Sequence, residues 1–239
     1  MSIKVILFDL DGTLLPMSLE KFLGAYFGAL TKKLAPLGYD SKELIAALWE
    51  GTRTMIENDG RMSNEKAFWQ KFIDRYGAKA VLDKPHFDKF YVENFDSVKD
   101  SCGFDAAAAI TVRAIKEMGY RVALATNPIF PALATEKRIT WTGLSPEEFE
   151  YYTTYENSRY TKPNLRYYED VIEKLGVSAE ECLMVGNDVS EDMIAQKLGM
   201  KVFLLPACLI NKEGVDISEY PSGDFADLLN FIKGLEKEN

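Results

Sequence analysis

The 239-residue sequence carries 28 Lys and Arg against 37 Asp and Glu, a formal net charge of −9. This acidic balance argues against non-specific binding to nucleic acids or anionic membranes, because both need basic patches. The longest apolar stretches, residues 106–112 and 203–210, fall well short of the roughly 20 residues that a membrane-spanning helix requires. No secretory signal is visible at the start, so a cytoplasmic location is expected.

Cysteine and histidine usage narrows the possible chemistry. Cys102, Cys182 and Cys208 are scattered without CxxC spacing, which is typical of reduced structural thiols. His86 is the only histidine, and no nucleophile lies near it in the sequence. A His-based catalytic triad is therefore not expected.

The first predicted element is a short buried strand that ends in two carboxylates. Residues 3–16 read IKVILFDLDGTLLP, and the apolar run at 4–7 is typical of a strand inside a parallel sheet. Asp9 and Asp11 follow it, then Gly12, which permits a sharp turn, and the hydroxyl of Thr13. Ligands of open α/β sheets bind outside the carboxyl ends of the strands, so this position is the first candidate site.

A helical pattern then continues for about eighty residues. Helical spacing of apolar residues predicts helices over 18–37, from Ser41 to about 56, from Ser63 to 76, and from near Pro85 to 95. We interpret residues 17–96 as an all-helical insertion and residues 1–16 and 97–239 as the core domain. The aromatic residues of the insertion are expected to pack against one another; they include Trp49, Phe68, Trp69 and Phe72.

Strands and helices alternate through the rest of the chain. Strands are predicted at 121–125, 149–155, 182–185 and 201–205, and helices at 104–118, 131–140, 163–175, 191–198 and 225–235. Parallel neighbours need long crossover connections, so this alternation predicts a doubly wound α/β fold with a parallel sheet covered on both faces. The helical insertion would then stand as a cap over the carboxyl end of the first strand.

Polar clusters follow four of the predicted strands or the loops next to them. They are Asp9 with Asp11, Thr126 with Asn127, Lys162, and Asp188 with Asp192. Parallel strands bring their carboxyl ends to one crevice. Carboxylates placed close together repel one another unless a cation lies among them, and hard oxygen ligands favour Mg²⁺. Magnesium beside a lysine indicates a site for phosphoryl groups.

These motifs together resemble the haloacid dehalogenase-like (HAD) superfamily over almost the whole chain. The matching segments are DLDGT at residues 9–13, the strand that ends in Thr126 and Asn127, Lys162 with Pro163, and GNDVSED at 186–192. The resemblance implies a Rossmann-like core and a C1-type helical cap. It also implies an Mg²⁺-dependent phosphatase acting on a small phosphorylated metabolite.

The resemblance assigns a role to each motif residue. Asp9 would be the nucleophile that forms a phospho-aspartate, and Asp11 the general acid and base. Mg²⁺ would be held by the Asp9 carboxylate, the Asp11 carbonyl and Asp188, with Asp192 supporting it through water or a hydrogen bond. The phosphoryl oxygens would accept hydrogen bonds from Thr126 and the Asn127 main chain; Lys162 would neutralise charge.

The motif residues narrow the alternative functions without removing them. Dehalogenases of this superfamily lack the second aspartate, so Asp11 argues against dehalogenation. A phosphomutase stays open, as does a non-catalytic phosphate- or partner-binding module. Sugar phosphates, phosphoglycolate-like acids and nucleotides all remain candidate substrates, and the sequence leaves the oligomeric state undetermined. Arg53 and Arg61 are candidates to meet a second anionic group of the substrate.

Overall fold

A parallel four-stranded sheet forms the centre of the molecule, in the order β2-β1-β3-β4. The computed structural model describes residues 2–237. The strands are β1 (Val5–Phe8), β2 (Arg121–Leu124), β3 (Cys182–Gly186) and β4 (Lys201–Leu204). Phe8 at the end of β1 lies opposite Leu124 of β2 and Val185 of β3. The carboxyl ends of these strands therefore meet at one edge of the sheet.

The described residues form eight α-helices. They are α1 (Leu19–Leu34), α2 (Ser41–Ile56), α3 (Asn64–Tyr76), α4 (Ala78–Glu93), α5 (Ala106–Glu117), α6 (Ala132–Trp141), α7 (Leu165–Leu175) and α8 (Phe225–Lys237). Short 3-10 helices lie at Ala35–Leu37, Phe95–Ser101, Pro146–Glu148, Ala179–Glu181, Met193–Leu198, Pro206–Cys208 and Ile217–Glu219. None of these helices is long and apolar enough to cross a membrane.

Alternate residues of each strand point to opposite faces of the sheet, and both faces are covered. Ile6 and Phe8 pack in one core with α5 and α8, whereas Val5 and Leu7 pack in a second core with α7. Strands buried on both faces read as continuous apolar runs, which is why β1 and β3 show no polar alternation. The predicted doubly wound α/β fold with additional helices is confirmed.

Helices α1 to α4 lie between β1 and α5 in the chain and pack around aromatic side chains. The Phe72 ring lies within 6 Å of the rings of Trp69, Tyr76 and Phe87. Phe95 continues this packing to Trp141 of α6, with ring centroids 5.2 Å apart. The predicted boundary between residues 96 and 97 thus falls inside the 3-10 helix Phe95–Ser101. The domain limits stay a prediction.

Several predicted element limits need correction. Helix α4 begins at Ala78 and carries Pro85 in its interior, whereas the sequence indicated a start at the proline. Helix α1 ends at Leu34, and the chain continues in the 3-10 helix Ala35–Leu37, which contains Pro36. The helix predicted from Ser63 is α3, and Ser63 caps it, with its Oγ accepting a hydrogen bond from the Lys66 amide at 3.3 Å.

Two further predicted elements take a different form. Residues 149–155 run beside β2 but make only an isolated bridge, between Leu124 and Tyr152. Three main-chain hydrogen bonds join this segment to β2. The Thr154 amide instead donates its hydrogen bond to the side-chain oxygen of Asn157. The segment therefore leaves the sheet before a regular strand forms. The helix predicted at 191–198 is the shorter 3-10 helix Met193–Leu198.

Candidate active site

A buried lysine joins two carboxylates at the carboxyl end of the sheet. Lys162 Nζ donates hydrogen bonds to Asp9 Oδ1 at 2.9 Å and to Asp192 Oδ1 at 2.6 Å. Asp9 follows β1, Asp192 follows β3, and Lys162 lies in the loop before α7. Thr13 Oγ1 donates to the second oxygen of Asp9 at 3.1 Å. The Asp9 carboxylate is therefore held in one orientation from two sides.

Two neighbouring carboxylates keep the Lys162 side chain protonated. Burial alone would lower the pKa of this ammonium, but the nearby carboxylates of Asp192 and Asp9 outweigh it. The pKa of Lys162 consequently lies well above its usual value. The lysine stays charged and supplies a fixed positive group beside Asp9.

Asp192 also holds the loop that follows β3. Its Oδ2 accepts hydrogen bonds from the amides of Asn187 and Asp188, each at 3.0 Å. Burial raises the pKa of Asp192 to about 7, against the opposing effect of Lys162. A Cβ at Gly186 would collide with this carboxylate, which explains the glycine at the end of β3. Asp192 thus holds Lys162 and this loop in place, and its support of a metal ion stays a prediction.

The turn after β1 is locked against the loop after β3. Gly12 has a φ of +89°, and a Cβ there would collide with the side chain of Asn187. Thr13 Oγ1 lies 2.9 Å from Asn187 Oδ1, and Asn187 Nδ2 donates to the Cys208 carbonyl at 2.7 Å. Asn187 was not among the predicted site residues, yet it connects three loops at this edge of the sheet.

Asp11 pairs with a buried arginine. Its Oδ2 accepts a hydrogen bond from Arg138 Nη1, and its buried Oδ1 has no protein partner. Burial raises the pKa of the Asp11 carboxyl; Arg138 opposes this shift and the charge of Asp9 adds to it. A carboxyl whose pKa is raised and whose one oxygen is free suits a general acid.

Arg138 is a site residue that the sequence interpretation missed. It is 1% exposed, donates to the Ala134 carbonyl and the Thr135 hydroxyl, and lies 4.6 Å from the centre of the Phe130 ring. The available signal was its spacing in α6. Arg138 lies on the same face of α6 as Ala134 and Trp141, both of them buried. A charged side chain on a buried face is costly unless it has a partner of opposite charge.

We expect Arg138→Met to lower the free energy of unfolding by about 1–3 kcal/mol, because it leaves the partly buried Asp11 carboxylate without its hydrogen-bond donor. Arg138→Met combined with Asp11→Asn should cost less than the sum of the two single changes. Urea unfolding of the four proteins measures this coupling. A coupling free energy near zero would contradict a stabilising Asp11–Arg138 pair.

Thr126 and Asn127 follow β2 at the same edge. The Thr126 carbonyl accepts hydrogen bonds from Thr153 Oγ1 and Tyr167 Oη, which fix the start of this loop. Asn127 Nδ2 donates to Glu191 Oε2 at 2.9 Å, while its buried Oδ1 has no protein partner. Burial raises the pKa of Glu191. Glu191, which the sequence interpretation did not select, thus joins the loops after β2 and β3.

The predicted metal ligands provide oxygen donors of the kind that Mg²⁺ prefers. Asp188 uses Oδ1 to accept the amides of Ser190 and Glu191, at 2.8 and 2.9 Å, and this fixes its carboxylate at the start of the turn. Within residues 2–237, no three acidic, histidine or cysteine side chains form a ready-made metal cluster. The predicted set needs only the side chains of Asp9 and Asp188, because Asp11 contributes its carbonyl.

The charge balance at this edge favours a bound cation. Two cationic side chains lie here, those of Lys162 and Arg138. They are outnumbered by five carboxyl groups, which belong to Asp9, Asp11, Asp188, Glu191 and Asp192. Burial raises the pKa of three of these five groups, namely Asp11, Glu191 and Asp192. A divalent cation would offset this excess of negative charge, so the residues fit Mg²⁺.

A cavity of about 800 Å³ opens onto these side chains. Five of the six predicted site residues line it: Asp9, Asp11, Thr126, Asn127 and Asp188. Lys162 lies behind Asp9, with its side chain fully buried. Residues 129–131, which follow Thr126 and Asn127, also line the cavity. Helices α1 to α4 supply its far wall. The arrangement places the carboxylates of Asp9 and Asp11 at one end of this cavity, with the Lys162 ammonium behind Asp9.

Residues 3–198 match the family model for haloacid dehalogenase-like hydrolases. The chain belongs to this family. The glyceraldehyde 3-phosphate phosphatase of Methanocaldococcus jannaschii is 27% identical to this HAD-like chain over 243 residues, covering 99% of this chain and all of the relative. These matches confirm the predicted family and the predicted enzyme class, a phosphatase.

Solved structures share the fold of this HAD-like hydrolase at low sequence identity. A predicted phosphoglycolate phosphatase from Haemophilus somnus has a TM-score of 0.60 and 20% identity, covering 97% of this chain and 98% of its own. The 2-haloacid dehalogenase of Pseudomonas syringae has a TM-score of 0.63 and 19% identity, with the same coverage of both chains. Phosphatases and dehalogenases thus share this fold, and the side chains of the site must distinguish them.

Proposed function

We propose that the protein is an Mg²⁺-dependent phosphatase that hydrolyses a phosphorylated metabolite through a phosphoryl group carried on Asp9. The observation that carries this proposal is the buried Lys162 ammonium, bonded to both Asp9 and Asp192 at the end of the cavity. A lysine held there serves no packing purpose that an apolar residue could not serve better. It is suited to neutralise negative charge that develops on a transferring phosphoryl group.

In the first step, the Asp9 carboxylate attacks the phosphorus atom. A new bond forms between the carboxylate oxygen and phosphorus, and the bond from phosphorus to the ester oxygen breaks. Asp11 gives its proton to the departing alkoxide, so an alcohol leaves. Asp11 lines the same cavity and its Oδ1 has no protein partner, and both observations support this role.

In the second step, water replaces Asp9 on the phosphorus atom. Asp11, now a carboxylate, takes a proton from the water as its oxygen bonds to phosphorus. The bond between phosphorus and Asp9 breaks, and inorganic phosphate leaves. Thr126 and Asn127 would donate hydrogen bonds to the phosphoryl oxygens in both steps. Arg138 keeps Asp11 in place throughout, since it occupies the other carboxylate oxygen.

The Asp9 carboxylate, the Asp11 carbonyl and Asp188 would hold Mg²⁺. When bound, the ion supplies positive charge that draws the phosphoryl group toward the nucleophile and reduces repulsion between two anions. The oxygen-only donor set and the surplus of carboxylates support this choice of metal. The M. jannaschii relative, named for a triose phosphate, supports a phosphorylated metabolite as substrate.

We expect chelation with EDTA to abolish phosphate release and added Mg²⁺ to restore it. The measurement is inorganic phosphate released from a panel of phosphomonoesters by the purified protein, before and after metal removal. Phosphate release that saturates with a simple phosphomonoester separates a phosphatase from a phosphomutase, which would pass the phosphoryl group to another hydroxyl group of its substrate and release no phosphate. Unchanged phosphate release in EDTA would contradict the metal requirement.

A further inference from the structure

The wall of the active-site cavity that faces away from Asp9 is apolar. Helices α1, α2 and α4 present Leu23, Phe27, Trp49 and Tyr91 to it, and the loop after β2 adds Ile129 and Phe130. The hydroxyl groups of Tyr26 and Tyr91, which also line this wall, lie 2.7 Å apart and bond to each other. Hydroxyl groups of a sugar would lose water here and find few partners in exchange.

Large apolar side chains are exposed at this cavity. Leu19, Trp49 and Ile56 are 52%, 49% and 54% exposed, and all three line it. Trp49 packs against Phe27 as expected, with ring centroids 5.6 Å apart in edge contact, but it also leaves much of its surface exposed at the cavity. Clustered apolar surface at the end of a cavity marks a place where an apolar ligand binds.

Positive charge is scarce along the same wall. Of the described side chains that line the cavity, Lys212 alone is positively charged, and it lies in the loop after β4. Arg53 pairs with Glu57 at 3.1 Å and Arg61 pairs with Asp59. Neither arginine is among the lining residues, so the role considered for them from the sequence finds no support. Asp88 of α4 lines the wall instead and would repel a second anionic group.

The volume of the cavity excludes a tight fit to a very small ester. About 800 Å³ lies within the range of pockets that bind drug-sized molecules. A triose phosphate with its phosphoryl group at Asp9 would leave most of this apolar space empty. An alcohol part of larger size, made mainly of hydrocarbon, would fill it.

We infer that the substrate is a phosphomonoester whose alcohol part is bulky and largely hydrocarbon, held against α1 and α2 while its phosphoryl group reaches Asp9. This inference rests on the proposed phosphatase function and narrows its substrate class. It disfavours phosphoglycolate-like acids, because the described side chains of helices α1 to α4 present no cation to the cavity and Lys212 lies in the loop after β4. It also sets aside sugar phosphates, whose hydroxyl groups need polar partners.

A series of n-alkyl phosphates from ethyl to octyl tests the inference, because chain length changes while the acidity of the leaving alcohol stays nearly constant. With Mg²⁺ present, we expect kcat/KM to rise about fourfold for each methylene until the cavity is filled. Octyl phosphate should exceed glyceraldehyde 3-phosphate and phosphoglycolate. A flat series, or faster turnover of either polar ester, would overturn the inference and leave the phosphatase function intact.

Two exposed leucines provide a matched pair of variants. Leu19 lines the cavity, whereas Leu82 of α4 is 75% exposed and lies outside it. Leu19→Ser should lower kcat/KM for octyl phosphate several-fold more than it lowers kcat/KM for ethyl phosphate. Leu82→Ser should change neither. Equal effects of the two variants on octyl phosphate would contradict an apolar substrate site at Leu19.

Binding of alkylphosphonates, which the enzyme cannot hydrolyse, separates the two proposals. Calorimetry with Mg²⁺ should show tighter binding of octylphosphonate than of ethylphosphonate. If the unchanged protein releases phosphate from every ester no faster than the Asp9→Asn variant does, the phosphatase proposal fails. The calorimetry then still tests whether the cavity binds an alkyl chain. Equal affinities for the two phosphonates would overturn the apolar site.

Discussion

Asp9→Asn is expected to lower the rate of phosphate release by a factor on the order of 10⁴ or more, since removal of a covalent nucleophile costs this much in other enzymes. The amide lacks the negative charge and the nucleophilic oxygen that attack phosphorus. The side-chain oxygen of asparagine can still accept one of the hydrogen bonds from Lys162 or Thr13. The fold should therefore persist, and the loss should fall on kcat.

Asp100→Asn is the matched control for this change. Asp100 is an exposed carboxylate in the 3-10 helix Phe95–Ser101 and does not line the cavity. Its variant should release phosphate at the rate of the unchanged protein. Phosphate release by Asp9→Asn at the same rate as this control would leave Asp9 without a catalytic role.

Lys162→Met should reduce both activity and stability. The ammonium bonds two buried carboxylates, and its removal leaves both Asp9 and Asp192 without their cation. Breaking a buried ion pair from one side costs about 3–5 kcal/mol of unfolding free energy. Loss of a charged group beside the transition state lowers kcat by about 10²–10³. Denaturant unfolding and phosphate release measure the two effects.

A second change separates these effects. Lys162→Met combined with Asp192→Asn removes one of the unpaired carboxylates, so it should recover part of the stability and none of the activity. Lys174→Met, at an exposed position of α7, is the control and should alter neither property. Recovery of full activity in the double variant would mean that Lys162 acts only on stability.

Local patterns in the sequence predicted most of the fold. Buried parallel strands read as apolar runs. The residues that follow β1, β2 and β3 could be predicted to lie close together, because the three strands are parallel and end at one edge of the sheet. Asp9 and Lys162 are 153 positions apart in the chain, yet their contact followed from this topology. Element limits were less predictable where proline was involved, as the interior Pro85 of α4 illustrates.

Contacts that depend on how a helix is rotated could not be predicted in the same way. The pairing of Arg138 with Asp11 requires α6 to turn its buried stripe toward the end of β1, and no local pattern fixes that rotation. The bond between Asn127 and Glu191 depends likewise on the spacing of two loops. Trp49 was assigned to packing because an aromatic stripe looks the same whether it meets a neighbouring helix or a cavity.

The transfer of the phosphoryl group to Asp9 is the central step of the proposed function. The stereochemistry at phosphorus tests it most directly, with a phosphorothioate monoester made chiral by oxygen isotopes and hydrolysed in isotopically labelled water. Two successive in-line displacements, first by Asp9 and then by water, predict overall retention of configuration. Inversion would mean that water attacks the substrate directly, and it would contradict a phosphoryl group on Asp9.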